Sequence, residues 1–301
     1  MKFIVGKSQR YKTVTEALIE SKTQSATEEI EIEIEPGVYH ERLIIDINGL
    51  TLTGLSADPK DTVIEYDLSA FGIMPDGNKR GTFRTQTVFI KGNNITLKNL
   101  TLANTAGDGK KVGQCLALNA EGLNLTYENC RFLGHQDTIF LGPLPPKEKE
   151  LGGFRGPMQY EPRCFSSQTF NHCYIEGTVD FIFGGAQATF TDCEIFSKYV
   201  DKDRNCYVTA ASTPEGQEEG FVFENCRFTG DALPGSVYLG RPWRNFAKVT
   251  IKNSYLSEVI HPAHWHDWNK QDAHATISYI ESDNYGPGAV YDELAPFAQR
   301  I

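Results

Sequence analysis

A short unit recurs along the chain: an apolar or aromatic strand, a polar turn and a second short strand. In each copy the residue after the turn is small or apolar, and in four copies it is cysteine. Copy by copy, that position is occupied by Leu100, Cys130, Cys173, Cys193, Cys226 and Ser254. A unit this short cannot bury its own apolar face, so the copies are predicted to stack as the coils of a solenoid.

The spacing of the units favours one kind of solenoid. The aligned cysteines lie 20 residues apart between Cys173 and Cys193 and 43 apart between Cys130 and Cys173, as expected if loops of variable length leave a regular coil. We therefore predict an all-β fold, a right-handed parallel β-helix. An antiparallel sandwich is the weaker alternative, because the dipeptides typical of hairpin turns are sparse.

Two further features follow from a coiled architecture. The aligned cysteines are expected to form a ladder inside the helix, where a disulfide between Cys173 and Cys193 can form but is not required. Thr13 or Thr15 is expected to cap a short helix over residues 16–22, which would cover the open end of the β-helix. With 301 residues, 40% of them hydrophobic, the chain can bury a large core, and we expect one domain over 1–301.

The net charge of the chain excludes some classes of binding partner. The net charge is −10, the isoelectric point lies near 5.2, and no cluster of Lys and Arg with interleaved aromatic residues occurs, so nucleic acid is not an expected partner. An acidic chain is also expected to release acidic products easily. No apolar run approaches membrane-spanning length, so no membrane partner is expected either. We expect a monomer.

The N-terminus and the cysteines bear on location and cofactors. Residues 1–11 lack the basic and apolar regions of a signal peptide. The expected location is the cytoplasm if Met1 is the native start, and outside the cell if the chain is a mature domain cloned with a new Met1. The seven cysteines show no CxxC or similar metal-binding spacing, so neither a metal nor a cofactor is expected.

A carboxylate interrupts an apolar, strand-forming run bounded by glycines. This is Asp180, within the sequence GTVDFIFGG at residues 177–185. Taken alone, such an Asp is typical of a turn or a cap at a strand end. The alternative is an ionised nucleophile or base in a partly desolvated cleft, and that interpretation requires partners elsewhere in the chain.

Other polar side chains occur at predicted strand ends and are candidate partners for Asp180. They are Gln114, Gln136, Asp137, Arg241 and Trp243. Alone, Gln136 and Asp137 would be interpreted as an ordinary turn, and Arg241 as a surface residue whose head reaches solvent. Residues on the same face of adjacent coils meet, however, and Asp137 lies about one coil before Asp180. We therefore expect these side chains to converge.

Two carboxylates, two primary amides, a guanidinium and an indole suffice for ester hydrolysis without Ser, His or metal. An ionised Asp attacks the carbonyl, a protonated Asp donates to the leaving alcohol, amides hold the oxyanion, and Arg keeps the nucleophile charged. The same inventory serves glycoside hydrolysis. A polysaccharide lyase and a catalytically silent carbohydrate-binding solenoid also stay open. These alternatives differ in their products: a released alcohol, a cleaved chain, or neither.

The order and spacing of several motifs make the chain resemble the pectin methylesterases (pectinesterases), which form carbohydrate esterase family 8. The motifs run nearly end to end: YKTVTEA at 11–17, PGVYHE at 36–41, GTF at 81–83, NTAG at 104–107, QCLAL at 114–118, GHQDT at 134–138, LGRPW at 239–243 and NYGPGA at 284–289. The resemblance implies a β-helical enzyme of pectin degradation and cell wall modification. Such an enzyme releases methanol from methylated polygalacturonate or oligogalacturonides. Because relatives of this family act on other esters or thioesters, a non-pectin ester stays an alternative substrate.

The resemblance also implies catalytic roles for the matching residues. Asp180 would be the nucleophile, and Asp137 the general acid that afterwards acts as a base on the deacylating water. Gln114 and Gln136 would stabilise the oxyanion, and Arg241 would hydrogen-bond Asp180.

Four more residues would contact the substrate by the same resemblance. Trp243, Phe181 and His135 would line the sugar cleft, and Thr82 would also touch the substrate. His135 departs from the pattern, because the family usually has Tyr at this position.

Two remaining segments are interpreted against the family pattern. Cys173 and Cys193 fall where plant members carry a disulfide, although a cytoplasmic chain would keep them reduced. Residues 141–163, rich in Pro and Gly, form an insertion between the acid motif and the nucleophile coil. It is either a solvated loop or a wall at one end of the cleft that favours short oligogalacturonides over polymer.

Overall fold

Each coil of the chain crosses three parallel sheets in turn. The computed structural model describes residues 1–23, 29–202 and 204–301, and within these ranges successive coils pair strand on strand along the whole chain. We number the sheets in the order in which a coil meets them. The right-handed parallel β-helix predicted from the repeat is confirmed.

Within the described residues, sheets 1, 2 and 3 contain 11, 8 and 7 strands. Sheet 1 consists of β1 (Lys2–Val5), β2 (Ile30–Ile34), β5 (Leu50–Gly54), β8 (Ile95–Lys98), β11 (Leu125–Glu128), β14 (Ser167–Asn171), β17 (Gln187–Thr191), β20 (Phe221–Glu224), β23 (Lys248–Lys252), β25 (Ser278–Ser282) and β26 (Ala298–Arg300). Sheet 2 consists of β3 (Gly37–His40), β6 (Thr62–Tyr66), β9 (Thr101–Asn104), β12 (Arg131–Leu133), β15 (Tyr174–Gly177), β18 (Glu194–Ser197), β21 (Arg227–Gly230) and β24 (Tyr255–Leu256). Sheet 3 consists of β4 (Leu43–Ile45), β7 (Val88–Ile90), β10 (Leu118–Ala120), β13 (Ile139–Leu141), β16 (Val179–Gly184), β19 (Cys206–Ala211) and β22 (Val237–Gly240).

Helices occur at the N-terminal end and in the loops. They are α1 (Val14–Thr23), α2 (Gly109–Val112) and the 3₁₀ helices Thr82–Arg84 and Gln271–Ala275. Thr13 caps α1 as expected: its hydroxyl accepts from Glu16 N at 3.1 Å, and the Glu16 carboxylate accepts from Thr13 N at 3.2 Å. The buried face of α1, which includes Ala17 and Leu18, packs against the first coil and covers its open end. Among the described residues, no helix is long and apolar enough to cross a membrane.

The backbone conformation of the turn explains why each repeat has a polar residue there. The residue before each aligned position lies between sheets 1 and 2 with φ between 50° and 55°. These residues are Asn99, Asn129, His172, Asp192, Asn225, Asn253 and Asp283. Asn, Asp and His tolerate the left-handed region better than other side chains with a Cβ. The turn residue therefore makes the corner at which each coil passes from one sheet to the next.

The cysteine ladder is present inside the helix. Cys130, Cys173, Cys193 and Cys226 are buried free thiols, and each Sγ donates to a backbone carbonyl of the preceding coil at 3.4 Å. Cys173 N also donates to the Cys193 Sγ at 3.4 Å, so the two residues lie on adjacent coils without a disulfide between them.

A column of aromatic rings fills the interior next to the thiols. Tyr127, Phe170, Phe190 and Phe223 are fully buried on paired strands of sheet 1, with successive ring centroids 4.3, 4.6 and 4.4 Å apart. In-register pairing places one ring above the next, so each coil covers the apolar surface of its neighbour.

Removing one ring from this column should destabilise the fold. Phe190→Ala is expected to lower the free energy of unfolding by about 3–5 kcal/mol, because it leaves a cavity between two packed rings. Tyr199→Ala, at a site 51% exposed, is the control and should change it by about 0.5 kcal/mol or less. Chemical denaturation followed by fluorescence measures both. Equal losses in the two variants would contradict the column as a source of stability.

Candidate active site

Asp180 is held by a bidentate ion pair. It lies in β16 and is 7% exposed. Arg241, directly after β22, donates from Nε to Asp180 Oδ1 at 2.8 Å and from Nη2 to Oδ2 at 2.7 Å. The expected hydrogen bond between the two residues is thus present, in the planar fork geometry that matches a guanidinium to a carboxylate.

The guanidinium of Arg241 is clamped between two aromatic rings. Its Cζ lies 3.8 Å from the ring centroid of Tyr207 and 3.8 Å from that of Trp268, so cation–π attraction fixes the plane of the fork. Burial alone would lower the pKa of Arg241, but the hydrogen bonds and charge of Asp180 outweigh it and hold the pKa above its ordinary value. Arg241 therefore stays charged and oriented.

Strand pairing brings the second carboxylate beside the first. Ile139 of β13 pairs with Ile182 of β16, and Asp137 and Asp180 each lie two residues before these partners. The backbone N–H of Asp137 donates to the carbonyl of Val179 at 3.0 Å. Residues 43 positions apart in the chain thus share one buried site, as the coil prediction required.

Both carboxylates depend on unusual backbone geometry. Asp137 has φ 61° and Asp180 φ 51°, in the left-handed region that non-Gly residues seldom adopt. The pairing of β16 with β19 also shifts between Val179 and Ile182, where two residues of β16 oppose the single Val208. A bulge of this kind redirects a side chain out of the regular alternation.

Asp137 and Asp180 have different surroundings, which shift their pKa values to different extents. Burial, reinforced by the neighbouring charge of Asp180, raises the pKa of Asp137 well above its usual range. Burial also raises the pKa of Asp180, but the hydrogen bonds and charge of Arg241, with a smaller contribution from Lys270, oppose that rise. Arg241 thus favours the charged form of Asp180, whereas burial and the charge of Asp180 favour the protonated form of Asp137.

Two amides lie beside the acid pair. Gln136 directly precedes Asp137, and its side chain opposes the rise in the pKa of that carboxyl. Gln114 lies on the preceding coil, where Cys115 N donates to the carbonyl of Gln136 at 3.1 Å. Both glutamines are half-buried. The backbone of Gln114 therefore lies on the coil next to that of Gln136 and Asp137.

Thr82 and Trp243 lie on either side of these groups along the helix axis. Thr82 begins the 3₁₀ helix Thr82–Arg84, and Ala70 links it to the amide coil: Gly81 N donates to Ala70 O, and Ala70 N donates to Gln114 O, each at 3.0 Å. Trp243 follows Arg241 and is half-buried. We call the outer face of sheet 3 that carries these residues the cleft.

His135 contacts a lysine. Its Nε2 lies 3.3 Å from Lys198 Nζ, which also forms a 2.9 Å ion pair with Glu176. Burial and then the charge of Lys198 lower the pKa of His135. His135 is thus a neutral imidazole beside the ammonium group of Lys198.

Phe181 does not line the cleft. Its side chain is fully buried and belongs to the interior core of the β-helix. Phe181 and Ile182 are consecutive residues and both belong to this core, because the bulge in β16 interrupts the strand alternation. The prediction of a sugar-facing ring at Phe181 is wrong.

The insertion at residues 141–163 packs against the cleft through a second apolar cluster. Phe154 is 6% exposed, and its ring meets those of Phe83 and Trp243 edge-on, with centroids 6.0 and 6.1 Å apart. At the far side of Trp243, the Arg244 guanidinium donates to Lys147 O at 3.1 Å. The segment is therefore docked onto sheet 3.

The contacts of the insertion run along the cleft. They extend from Arg244, after β22, to Phe83 and Lys91, which flank β7, where Glu161 pairs with Lys91 at 3.2 Å. The hypothesis from the sequence placed the insertion at one end of the cleft. The structure instead places it along one flank, beside several coils.

Sequence reasoning missed three residues that surround Arg241. Tyr207 and Trp268 form its aromatic clamp. Lys270 lies over the Trp268 ring at 4.2 Å and donates to the carbonyl of Pro242. Burial, followed by the charges of nearby cations, lowers the pKa of Lys270 to about 7. The aromatic sequence Trp265-His266-Asp267-Trp268 was the signal that could have drawn attention to this coil.

Within residues 1–23, 29–202 and 204–301, no group of three or more His, Cys, Asp and Glu side chains is arranged to hold a metal ion.

The chain is similar to pectinesterases over most of its length. It is 30% identical to pectinesterase 31 of Arabidopsis thaliana over 277 residues, which cover 90% of this chain and 78% of that protein. A pectinesterase/pectinesterase inhibitor from the same plant is 32% identical over 93% of this chain, which spans about half (45%) of that relative's length. Pectin methylesterase from carrot has 27% identity and a TM-score of 0.82, covering 99% of this chain and 87% of the carrot chain.

The family model described as Pectinesterase matches residues 4–142 and 163–295. The gap between the two matched segments coincides with the insertion, which is therefore a feature of this chain rather than of the family pattern. The matched residues include both carboxylates, both glutamines and Arg241. The chain belongs to the pectinesterase family and is a carboxylic ester hydrolase.

Proposed function

We propose that the protein hydrolyses the methyl esters of polygalacturonate or oligogalacturonides, with Asp180 as nucleophile and Asp137 as general acid and base. One observation carries the proposal: a carboxylate held by Arg241 shares a buried site with a second carboxylate whose pKa is raised well above its usual range. Two carboxyl groups in opposite protonation states are what a nucleophile and an acid need at the same pH. Family membership and the names of the relatives support pectin as the substrate.

In the first half of the reaction, an oxygen of Asp180 attacks the ester carbonyl carbon. The carbonyl oxygen becomes an oxyanion, which the amides of Gln114 and Gln136 stabilise by hydrogen bonds. When the tetrahedral intermediate collapses, the bond to the methoxy oxygen breaks, and Asp137 gives its proton to that oxygen. Methanol leaves, and the sugar acyl group stays on Asp180 as an anhydride.

In the second half, Asp137 is ionised and acts as a base. It removes a proton from water, and the resulting hydroxide attacks the acyl carbonyl. The anhydride bond breaks, the galacturonate leaves as a free carboxylate, and Asp180 returns to its pairing with Arg241. The pH dependence follows from the acid pair, since the first step requires Asp180 ionised and Asp137 protonated. The rate should fall below the lower apparent pKa of the pair and above the higher one.

Replacing the nucleophile tests the proposal directly. Asp180→Asn is expected to reduce methanol release from methylated polygalacturonate by at least about 1,000-fold, because an amide does not attack the ester. Asp192→Asn is the matched control. Asp192 also has a positive φ, 53°, but lies on an exposed turn away from the cleft. Unsaturated or reducing ends in the products would instead identify a lyase or a glycosidase.

Because its pKa is raised in the folded chain, Asp137 should lower the free energy of unfolding at neutral pH. A carboxyl whose pKa is higher in the folded than in the unfolded chain stabilises fully below its unfolded value, near 3.8. That stabilisation is lost as the pH rises to the folded value. Asn cannot lose a proton, so Asp137→Asn is expected to unfold at a higher temperature than the wild type at pH 7. The gain should grow by at most about 1.4 kcal/mol for every pH unit above 3.8, up to the folded pKa, and should vanish below pH 3.8. Thermal unfolding at several pH values measures this, and a gain independent of pH would contradict it.

The aromatic clamp and the bidentate ion pair of Arg241 predict that a positive charge alone at this position does not support full activity. Lysine at this position keeps the charge but cannot form two parallel bonds or lie flat between Tyr207 and Trp268. Because hydrogen bonds to charged groups contribute about 1.5–3 kcal/mol, Arg241→Lys is expected to lower kcat at least about tenfold. Arg227→Lys, at an exposed arginine over the Tyr255 ring, is the control. Full activity in both variants would argue against the clamp.

A further inference from the structure

A large groove lies on the cleft beyond the catalytic residues, toward the N-terminus. Its volume is about 1010 Å³. Ile44 of β4 and Phe89 of β7, which pair with each other, contribute to its floor. The loop at residues 68–86 forms one wall and residues 155–160 of the insertion form the other. We call this cavity the arginine groove.

Four arginines from three separate segments line the groove. They are Arg42 before β4, Arg80 and Arg84 in the loop, and Arg155 in the insertion. Among the described residues, none of the four lies within 4.0 Å of a carboxylate oxygen. The lining includes one carboxylate, Asp76, whose pKa is lowered by hydrogen bonds from Asn78 and by the charges of Arg84 and Arg155.

Three of the four guanidinium groups are held by neutral acceptors, which do not neutralise their charge. Arg42 Nε donates to the carbonyl of Gln86 at 3.3 Å, Arg80 Nη1 donates to Ser69 O at 3.2 Å, and Arg84 Nη2 donates to Lys79 O at 3.0 Å. Backbone carbonyls orient a guanidinium but leave its positive charge in place. A chain with a net charge of −10 thus carries a concentrated positive patch on this face.

The floor of the groove belongs to the same sheet as Asp180. In sheet 3 the strands follow the order β16, β13, β10, β7, β4, so the floor lies three to four strand spacings from Asp180. At about 4.8 Å per strand, this is roughly 14–19 Å. Thr82 and Arg84 belong to the same 3₁₀ helix. A short run of sugars bound at Asp180 and extending toward the N-terminus would therefore enter the groove.

The wall that supplies Arg155 is an ordered part of the structure. Arg163 ties the insertion together by donating to the carbonyls of Met158, Gln159 and Glu161 at 2.6–3.1 Å. Gly156 lies so close to the loop that a Cβ there would come within 2.4 Å of Phe83 O. Arg155 is thereby positioned opposite the loop arginines.

We infer that the arginine groove binds free carboxylates of the same acidic glycan chain whose methyl ester is hydrolysed at Asp180. The inference rests on the proposed function and adds a specificity to it. Guanidinium groups pair with carboxylates in a bidentate geometry, whereas a methyl ester offers no charge. The exposed Ile44 and Tyr160 supply apolar surface for the faces of the sugar rings.

This assignment reverses an expectation drawn from the net charge. An acidic chain would repel acidic products, but the local charge at the groove is positive, and local fields govern binding at short range. The enzyme should therefore prefer glycans that already carry free carboxylates on one side of the ester. Each hydrolysis creates such a carboxylate, so the rate on a fully methylated polymer should rise as the reaction begins.

Binding of unesterified oligogalacturonides tests the inference without requiring turnover. We expect the double variant Arg42→Gln/Arg155→Gln to bind these oligogalacturonides at least about tenfold more weakly than the wild-type protein, as measured by calorimetry. High salt should also weaken the binding of the oligogalacturonides to the wild type. The ratio of kcat/KM for partly de-esterified over fully methylated substrate should fall toward one in the double variant. Arg227→Gln, outside the groove, should leave binding and the ratio unchanged.

The outcomes separate the two proposals. Unchanged binding in the double variant, with thermal unfolding like the wild type, overturns the arginine groove even if methanol is released. If the double variant is misfolded, Arg42→Gln alone decides, because Arg42 is an exposed residue outside the insertion. Arginine-dependent binding without methanol release from any methylated substrate would sink the proposed function and leave the anionic site standing.

Discussion

The in-register pairing of successive coils is the constraint on which the rest of this structure depends. Each strand hydrogen-bonds to the same strand of the next coil, so a side chain's place across the sheet fixes its neighbours along the axis. The aromatic column inside and the acid pair outside are both products of this rule. Asp137 and Asp180 meet because each lies two residues before a paired isoleucine. The geometry of the acid pair thus follows from the register of the strands rather than from a dedicated loop.

Local departures from this regularity occur where the chemistry lies. The two carboxylates have positive φ, and β16 bulges between Val179 and Ile182. Burial opposes ionisation of both acids, and the clamped guanidinium of Arg241 tilts the balance toward a charged Asp180. The surrounding coils hold these costly features in place, which is a usual arrangement at functional sites.

The sequence indicated the coil architecture and the acid pair, but side-chain surroundings largely escaped it. The polar turns and cysteines report the coil, because each occupies one corner of every repeat. Phe181 was misplaced by adjacency to Asp180, because the sequence does not reveal the bulge that turns both Phe181 and Ile182 toward the interior. Tyr207 and Trp268 could not be assigned to Arg241, because nothing in their spacing reveals which coils the guanidinium spans. The docking of the insertion depends on tertiary packing of Phe154, which no local pattern encodes.

The apolar seam that joins Phe154 to Phe83 and Trp243 has a consequence for how a glycan is received. The docked insertion borders the Trp243 indole at one end and the arginines at the other, so packing shapes the channel before a ligand arrives. A flexible polysaccharide then loses its own conformational freedom on binding, while the protein loses little. Preorganisation of this kind makes affinity depend on how well the sugar chain's natural twist follows the axis of the coils.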